Sequence, residues 1–252
     1  MMGATSGIGQ EVARQLAAKG YEVGIAGRRT ERLAEMAQAT PGIVAYRQID
    51  VTCDDAPEQL QKLIAELGGM DLYFHSSGIG WENVLLDTEK EMKTVETNGV
   101  GFVRMVTAAF NWFAENRNGS NAACGDNSKT ASNNARIACI TSIARTRGLG
   151  AAPAYSASKR FTSHYLESLC QLTAIRNIRN IHISDIRPGF VKTPMIEGSN
   201  FPMQLDVRKV AVSIVNGLER RKPVITVNWF YRLLVFFWQM TPRFIWIRMS
   251  IK

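Results

Sequence analysis

Tyr155 and Lys159 stand four residues apart, with Ser142 thirteen residues before the tyrosine. On a helix that spacing puts the phenol and the ammonium on one face, one turn apart. An ammonium held close to a phenol favours the phenolate, so the Tyr155 pKa is expected to fall from its usual value of about 10 towards neutrality. A phenol tuned in this way gives a proton to a developing alkoxide or takes one from an alcohol. Ser142 would add a second hydrogen bond to the same oxygen. The three residues form the acid–base half of a carbonyl/alcohol redox site, which needs a hydride carrier nearby. A Tyr-x-x-x-Lys pair also arises by chance, and a surface helix carrying both residues is the plain alternative.

The elements that would position such a site can be read along the chain. Gly3-Ala4-Thr5-Ser6-Gly7-Ile8-Gly9 is a glycine-rich turn running into a helix that ends at Gly20. Glycines are needed where backbone turns tightly and approaches a pyrophosphate resting on the amides of a helix N-terminus. Tyr21–Ala26 follows as a short strand, which makes a nucleotide-binding β-α-β unit the better reading of the turn. Further candidate strands are 43–49, 71–76, 136–141, 181–186 and 223–228. Candidate helices are 8–19, 29–39, 57–67, 88–115, 155–175 and 206–219. Alternation of this kind predicts an α/β fold with a doubly wound parallel sheet and helices on both faces. Residues 116–134 break the rhythm, being rich in Asn, Ser and Gly with no apolar period, and read as a polar surface insertion.

These motifs resemble the short-chain dehydrogenase/reductase family, built on a single Rossmann domain, and stand in family order from residue 3 to about 195. Gly3, Gly7 and Gly9, with Thr5, Ser6 and Ile8 between them, match the coenzyme turn. Asp50 and Val51 match the acidic position that contacts the adenine, and Gly78 matches the glycine closing the next strand. Asn98 matches the helix asparagine that organises a water beside the lysine. Ser142, Tyr155 and Lys159 match the catalytic set, and the resemblance also gives Lys159 the nicotinamide ribose. Pro188, Gly189 and Thr193 match the segment whose threonine meets the nicotinamide carboxamide. The resemblance implies a homodimer or homotetramer.

The chain departs from the family in three places. His75-Ser76-Ser77-Gly78 replaces Asn-Asn-Ala-Gly, so the bonding that steadies the central sheet is expected to differ, with His75 structural rather than catalytic. Met2 replaces a threonine. A whole strand is expected ahead of Gly3, central in a sheet of order 3-2-1-4-5-6, and its loss would leave a gap in the ladder. A truncated start accounts for this better than a degenerate chain.

The cofactor's 2′-position can be argued from charge. An NAD enzyme of this kind places an acid at the end of the second strand, whereas here the strand ends Ala26-Gly27-Arg28-Arg29. Guanidinium can hold a 2′-phosphate that a carboxylate would repel, so NADP(H) is expected, with Arg28 the first contact and Arg29 beside it. Because cells keep NADPH reduced, carbonyl reduction is the expected direction.

Composition fits one domain of 252 residues. Cys53, Cys124, Cys139 and Cys170 are scattered with no metal spacing, and there is no signal peptide, which together read as reduced thiols in the cytoplasm. The segment 229–252 forms an apolar and basic C-terminal extension. Trp229–Trp238 is apolar nearly all round, Thr241-Pro242 reads as the cap and first position of another short helix, and the run is too short to cross a bilayer. From Gly217 onward seven basic residues oppose Glu219 alone, a net +6 of the formal +8. Either the tail packs over the substrate cleft or a subunit interface, the reading slightly favoured, or it lies on an anionic membrane surface. Nucleic acid fits poorly, since the positive charge is interleaved with bulky apolar residues.

The reading reached is an NADPH-dependent oxidoreductase that interconverts a carbonyl and a secondary alcohol, with Tyr155 as proton donor and a hydrophobic ketone or aldehyde as substrate. Residues 194–206, the tail and Trp81 would shape the pocket. The rival is a catalytically silent NADP-binding scaffold or sensor attached to a membrane or partner.

Overall fold

A computed structural model describes residues 1–116, 135–178, 180–196, 198 and 203–249. The polar insertion therefore lies outside the described residues apart from Asn116, as does Cys124. The chain alternates β1 (Val23–Gly27), α2 (Thr30–Ala39), β2 (Ile43–Gln48), α3 (Ala56–Glu66) and β3 (Leu72–His75), with α1 (Gly7–Ala18) ahead of them. After β3 come α4 (Thr88–Val95), α5 (Phe102–Asn116), β4 (Ala135–Ile140), α6 (Pro153–Ile175), β5 (Ile181–Arg187), α7 (Val207–Glu219) and β6 (Val224–Thr226). Two helices close the chain, α8 (Trp229–Met240) and α9 (Arg243–Trp246).

The paired strands run parallel, β1 with β2 and, separately, β3-β4-β5-β6. Met2 joins the two blocks through parallel bridges to Ala26 and His75. Its amide donates to the Phe74 carbonyl at 2.8 Å, and its own carbonyl accepts from Ser76 at 2.9 Å. Met1 accepts from the Ala26 amide at 2.8 Å, and its ammonium donates to Gly24 at 2.9 Å. The central ladder is thus bridged by two residues where the family resemblance implies a whole strand. The feature that argued for a silent scaffold is in part made good.

Side chains alternate across the sheet, and the two faces bury different helices. Tyr73 joins Leu60, Leu63, Phe102, Phe110, Phe113 and Leu166 in a core formed with α3, α5 and α6. Its neighbour Phe74 joins Val12, Leu16, Ile25, Leu33 and Ile214 in the core formed with α1, α2 and α7. One apolar step along β3 changes face, as period two requires.

The predicted helix 88–115 is interrupted. Glu96–Gly101 forms a π-helical turn between α4 and α5, and Asn98 lies buried inside it. A wide turn of this kind accommodates one extra residue, and such bulges often sit at functional sites. At the tail, Thr241 ends α8 by bonding the Phe237 carbonyl through Oγ1 at 2.9 Å. Pro242, not Thr241, takes the N-cap position of α9.

Candidate active site

Tyr155 and Lys159 lie near the start of α6. That helix lacks a side-chain cap of its own at Ala152. Glu91 of α4 supplies one: its carboxylate accepts from the Ala154 amide at 2.9 Å and from Asn83 Nδ2 at 2.8 Å. A carboxylate at this end also matches the positive pole of the helix. Tyr155 lays its ring on the backbone of Gly80, where a Cβ would stand 2.4 Å from the ring. Gly80 is thus required by contact. Ser142, the N-cap of a short 3₁₀ turn after β4, accepts from the Ala144 amide at 3.1 Å, and its hydroxyl is close enough to Tyr155 to pull the phenol pKa down.

Lys159 is buried. Its Nζ donates to the Ile140 carbonyl at 3.1 Å and lies 5.7 Å from the centre of the Tyr155 ring. Burial lowers its pKa to about 8, opposed by the nearby Cys139 and Asp185. The expected fall in the Tyr155 pKa does not occur in this geometry. Burial raises it, and the neighbouring Ser142 hydroxyl offsets only part of that rise. The ammonium is engaged at a carbonyl and sits over the ring, so it does little for the phenolate oxygen.

Asn98 reaches across from the π-turn. Its Oδ1 accepts from the Ile79 amide at 2.9 Å, and its Nδ2 donates to the Ile79 carbonyl at 2.7 Å and to Ser158 at 3.1 Å. A Cβ on Gly78 would come within 3.3 Å of both Asn98 Oδ1 and Lys159 Nζ. Asn98, Gly78, Ile79, Gly80, Tyr155, Lys159 and Ser142 therefore form one continuous set of contacts.

Behind it, Asp185 of β5 is buried and accepts hydrogen bonds from Thr141, Ser163 and Arg187. Sequence reading missed Glu91, Gly80 and Asp185. Only the glycine carried a local signal.

His75 sits at the end of β3, with Nδ1 2.9 Å from the Tyr73 hydroxyl and its ring edge-on to Phe102. Burial, and then repulsion from Lys159, depress its pKa to about 3. It is a neutral packing residue, as its position at a strand end predicts.

The glycine turn lies at the same end of the sheet. Gly3 and Gly7 both have positive φ, at 75° and 57°. A Cβ on Gly3 would come within 2.6 Å of the Ser77 amide, and one on Gly9 within 2.3 Å of the Gly3 carbonyl, so neither position has room for a side chain. A Cβ on Gly7 would stand 3.2 Å from Thr193, which brings the first and last sequence motifs together. Ser6 makes no side-chain cap on α1, so the first-turn amides have no side-chain cap there.

Arg29, rather than Arg28, crosses the turn: it donates to Thr5 Oγ1 from Nε at 3.1 Å and from Nη2 at 2.6 Å, and to Ser6 Oγ at 2.9 Å. Its pKa is lowered by burial and then by Arg32 and Arg28, so three guanidiniums share this corner. Asp50 spends one oxygen on the amide and hydroxyl of Thr52, while the Val51 carbonyl accepts from Arg104.

A Cβ on Gly189 would stand 2.2 Å from the Tyr231 ring of α8. The Tyr231 hydroxyl donates to Met203 at 2.9 Å and accepts from the Phe190 amide at 3.3 Å. Pro188 accepts from the Ile143 amide at 3.0 Å. The loop from Pro188 to Leu205 is thereby tied to both the site and the tail, although 197 and 199–202 lie outside the described residues.

A cavity of about 580 Å³ is lined by Arg145, Arg147, Leu149, Pro153, Ala157 and Arg160. At 100° per residue, its α6 members face away from Tyr155 and Lys159. It is not the pocket of this site.

The short chain dehydrogenase family model matches residues 1–203. The chain belongs to the short-chain dehydrogenase/reductase family of oxidoreductases. It is 33% identical over 207 residues to an uncharacterized oxidoreductase of Myxococcus xanthus, covering 80% of this chain and 74% of that one. It is 30% identical over 254 residues to one of Mycobacterium tuberculosis, covering 96% and 92%. Its fold matches a short-chain dehydrogenase from Sphingobium yanoikuyae in complex with NADPH, with a TM-score of 0.75 at 17% identity, over 99% of this chain and 94% of that one. For this short-chain dehydrogenase/reductase, both the glycine cradle and the Tyr155 cluster fit a dinucleotide: the first leaves no room for side chains, and the second stands at the same strand ends.

Proposed function

We propose that this protein is an NADPH-dependent reductase of an apolar ketone or aldehyde, with Tyr155 as proton donor. The observation that carries the reading is the contact set joining Ser142, Tyr155, Lys159 and Asn98 at the strand ends where the glycine turn and Thr193 also meet. When bound, the nicotinamide cofactor supplies hydride to the carbonyl carbon.

The chain's own residues do the rest. Tyr155, its pKa raised by burial, stays a neutral phenol at physiological pH and so carries the proton it is to give. Ser142 orients the carbonyl oxygen against that hydroxyl. Lys159 would hold the ribose; its own hydrogen bond goes to the Ile140 carbonyl rather than to the tyrosine oxygen. Asn98 has its carboxamide committed to Ile79 and Ser158, so any relay water assigned to it must be held by its main chain.

Gly3, Thr5, Ser6, Gly7, Ile8, Gly9, Asp50, Val51, Gly78, Pro188, Gly189 and Thr193 are the proposed remaining cofactor contacts. Trp81, exposed and next to Gly80, is a proposed wall for an apolar substrate. The cytoplasm is the proposed setting, and a homo-oligomer the proposed working form.

Preference for NADPH rests on Arg29, whose crowding by Arg28 and Arg32 a 2′-phosphate would relieve. Fluorescence titration should show NADPH binding at least ~10-fold tighter than NADH, an advantage of about 1.4 kcal/mol. Arg29→Gln should erase most of the difference. Equal affinity in the wild type would remove the 2′-phosphate argument.

A further inference from the structure

The outward face of α8 is the strongest feature left unexplained by the redox reading. Tyr231 is buried and Trp238 packs on Trp246, so one side of the helix is anchored to the protein body. Arg147 completes the anchor by donating to the carbonyls of Trp238 and Gln239 at 3.0 and 3.1 Å, and to that of Thr241. Trp229, Leu233, Phe236, Phe237 and Met240 recur at i, i+4, i+7, i+8 and i+11, which is one stripe of an α-helix. That stripe faces solvent, with Trp229 74%, Phe237 58% and Met240 67% exposed. In α9 and just beyond, Phe244, Ile245 and Ile247 are also exposed. Burial over the cleft, the slightly favoured sequence reading, therefore describes only the Tyr231 and Trp246 side.

Charge selects the occupant. Arg232, Arg243 and Arg248 flank the stripe, exposed. From residue 220 onward the sequence has no acid. Beside the start of α8 lies a cleft of about 470 Å³ whose polar lining includes Arg220, Lys222, Arg232, Ser213 and Asn216, and whose lining has no carboxylate. A second copy docked about a two-fold axis would set this cationic surface against itself. No described helix is long and apolar enough to cross a membrane. Aromatic and aliphatic side chains ringed by arginine, beside a basic cleft of headgroup character, suit the interface of an anionic bilayer.

We propose that α8 and α9 dock this protein on an anionic lipid surface, with the Trp229–Met240 stripe entering the headgroup–acyl boundary and the basic cleft taking lipid phosphate. Tyr231 belongs to the same helix and bonds the Phe190 amide and the Met203 carbonyl from its buried side, so the docked helix stays tied to the segment after β5.

The test is flotation of the full chain with vesicles of phosphatidylcholine alone or with about one third phosphatidylglycerol. Flotation should be at least roughly tenfold greater on the anionic vesicles. The exposed pair Phe236→Glu with Phe237→Glu should abolish it without altering the circular dichroism melt. Should that pair unfold the protein, Arg243→Gln with Arg248→Gln provides the second reading, a loss of roughly tenfold on anionic vesicles only. No flotation, flotation indifferent to lipid charge, or flotation indifferent to these variants would overturn the proposal. So would a concentration-dependent dimer that Phe236→Glu disrupts in the absence of any vesicle binding.

Discussion

Lys159 Nζ sits 5.7 Å from the centre of the Tyr155 ring and gives its hydrogen bond to the Ile140 carbonyl, not to the tyrosine hydroxyl. The pair shares a helix face, as its spacing predicts, but the ammonium is held from the other side by the end of β4. The resting phenol is therefore shielded and neutral, and the lysine is the group whose charge burial makes costly.

That cost gives a stability prediction. The Lys159 pKa is about 8 in the fold against 10.5 unfolded, so the unfolded chain binds more protons between those values. The penalty is complete below pH 8 and vanishes as pH rises towards 10.5. At about 1.4 kcal/mol per unit it amounts to about 3 kcal/mol. Lys159→Met should gain about 1–3 kcal/mol at neutral pH, lose that advantage near pH 10.5, and be inactive. Urea unfolding at both pH values measures it, and a variant destabilised at neutral pH would count against it.

His75 makes the complementary prediction in acid. Its folded pKa of about 3 lies below the ordinary 6.5, so the fold loses stability as pH falls from 6.5 towards 3. The full loss is about 4–5 kcal/mol, of which a large part should be expressed by about pH 4.5. His75→Asn removes this dependence while losing the Tyr73 bond. Its unfolding midpoint should thus be lower at neutral pH yet fall less on acidification. An equal fall in both proteins would show that His75 is not the titrating group.

Under the proposed mechanism Glu91 would be a positioning residue, acting through the Ala154 amide at the head of α6. Glu91→Ala should cost about 1–2 kcal/mol of stability, as loss of a helix cap does. It should also lower kcat with little change in KM, since Tyr155 loses its fixed approach. Glu91→Gln, which keeps an acceptor, should recover most of the rate. If the two variants behave alike in rate, the carboxylate does not position the tyrosine.

Much of this was legible because it is local. The glycine turn, the alternation of strands and helices, and the Ser142, Tyr155 and Lys159 spacing are patterns within short windows, and the fold follows them to within a few residues. The π-turn at Asn98 was not legible because Glu96-Thr97-Asn98-Gly99 carries no proline that would break a helix. Glu91, Asp185 and Gly80 were missed because their partners are distant in sequence: the Ala154 amide, the Thr141 and Ser163 hydroxyls, and the Tyr155 ring. The Tyr155 pKa was misjudged for the same reason. Spacing sets the distance between two side chains, whereas the carbonyl that accepts the lysine's hydrogen bond comes from another element.

The most direct test of the account follows NADPH oxidation with a panel of apolar ketones and aldehydes, comparing the wild type with Tyr155→Phe. The account predicts turnover in the wild type and a loss of at least ~10²-fold in the variant, with NADPH affinity unchanged. Undiminished turnover in Tyr155→Phe would contradict it.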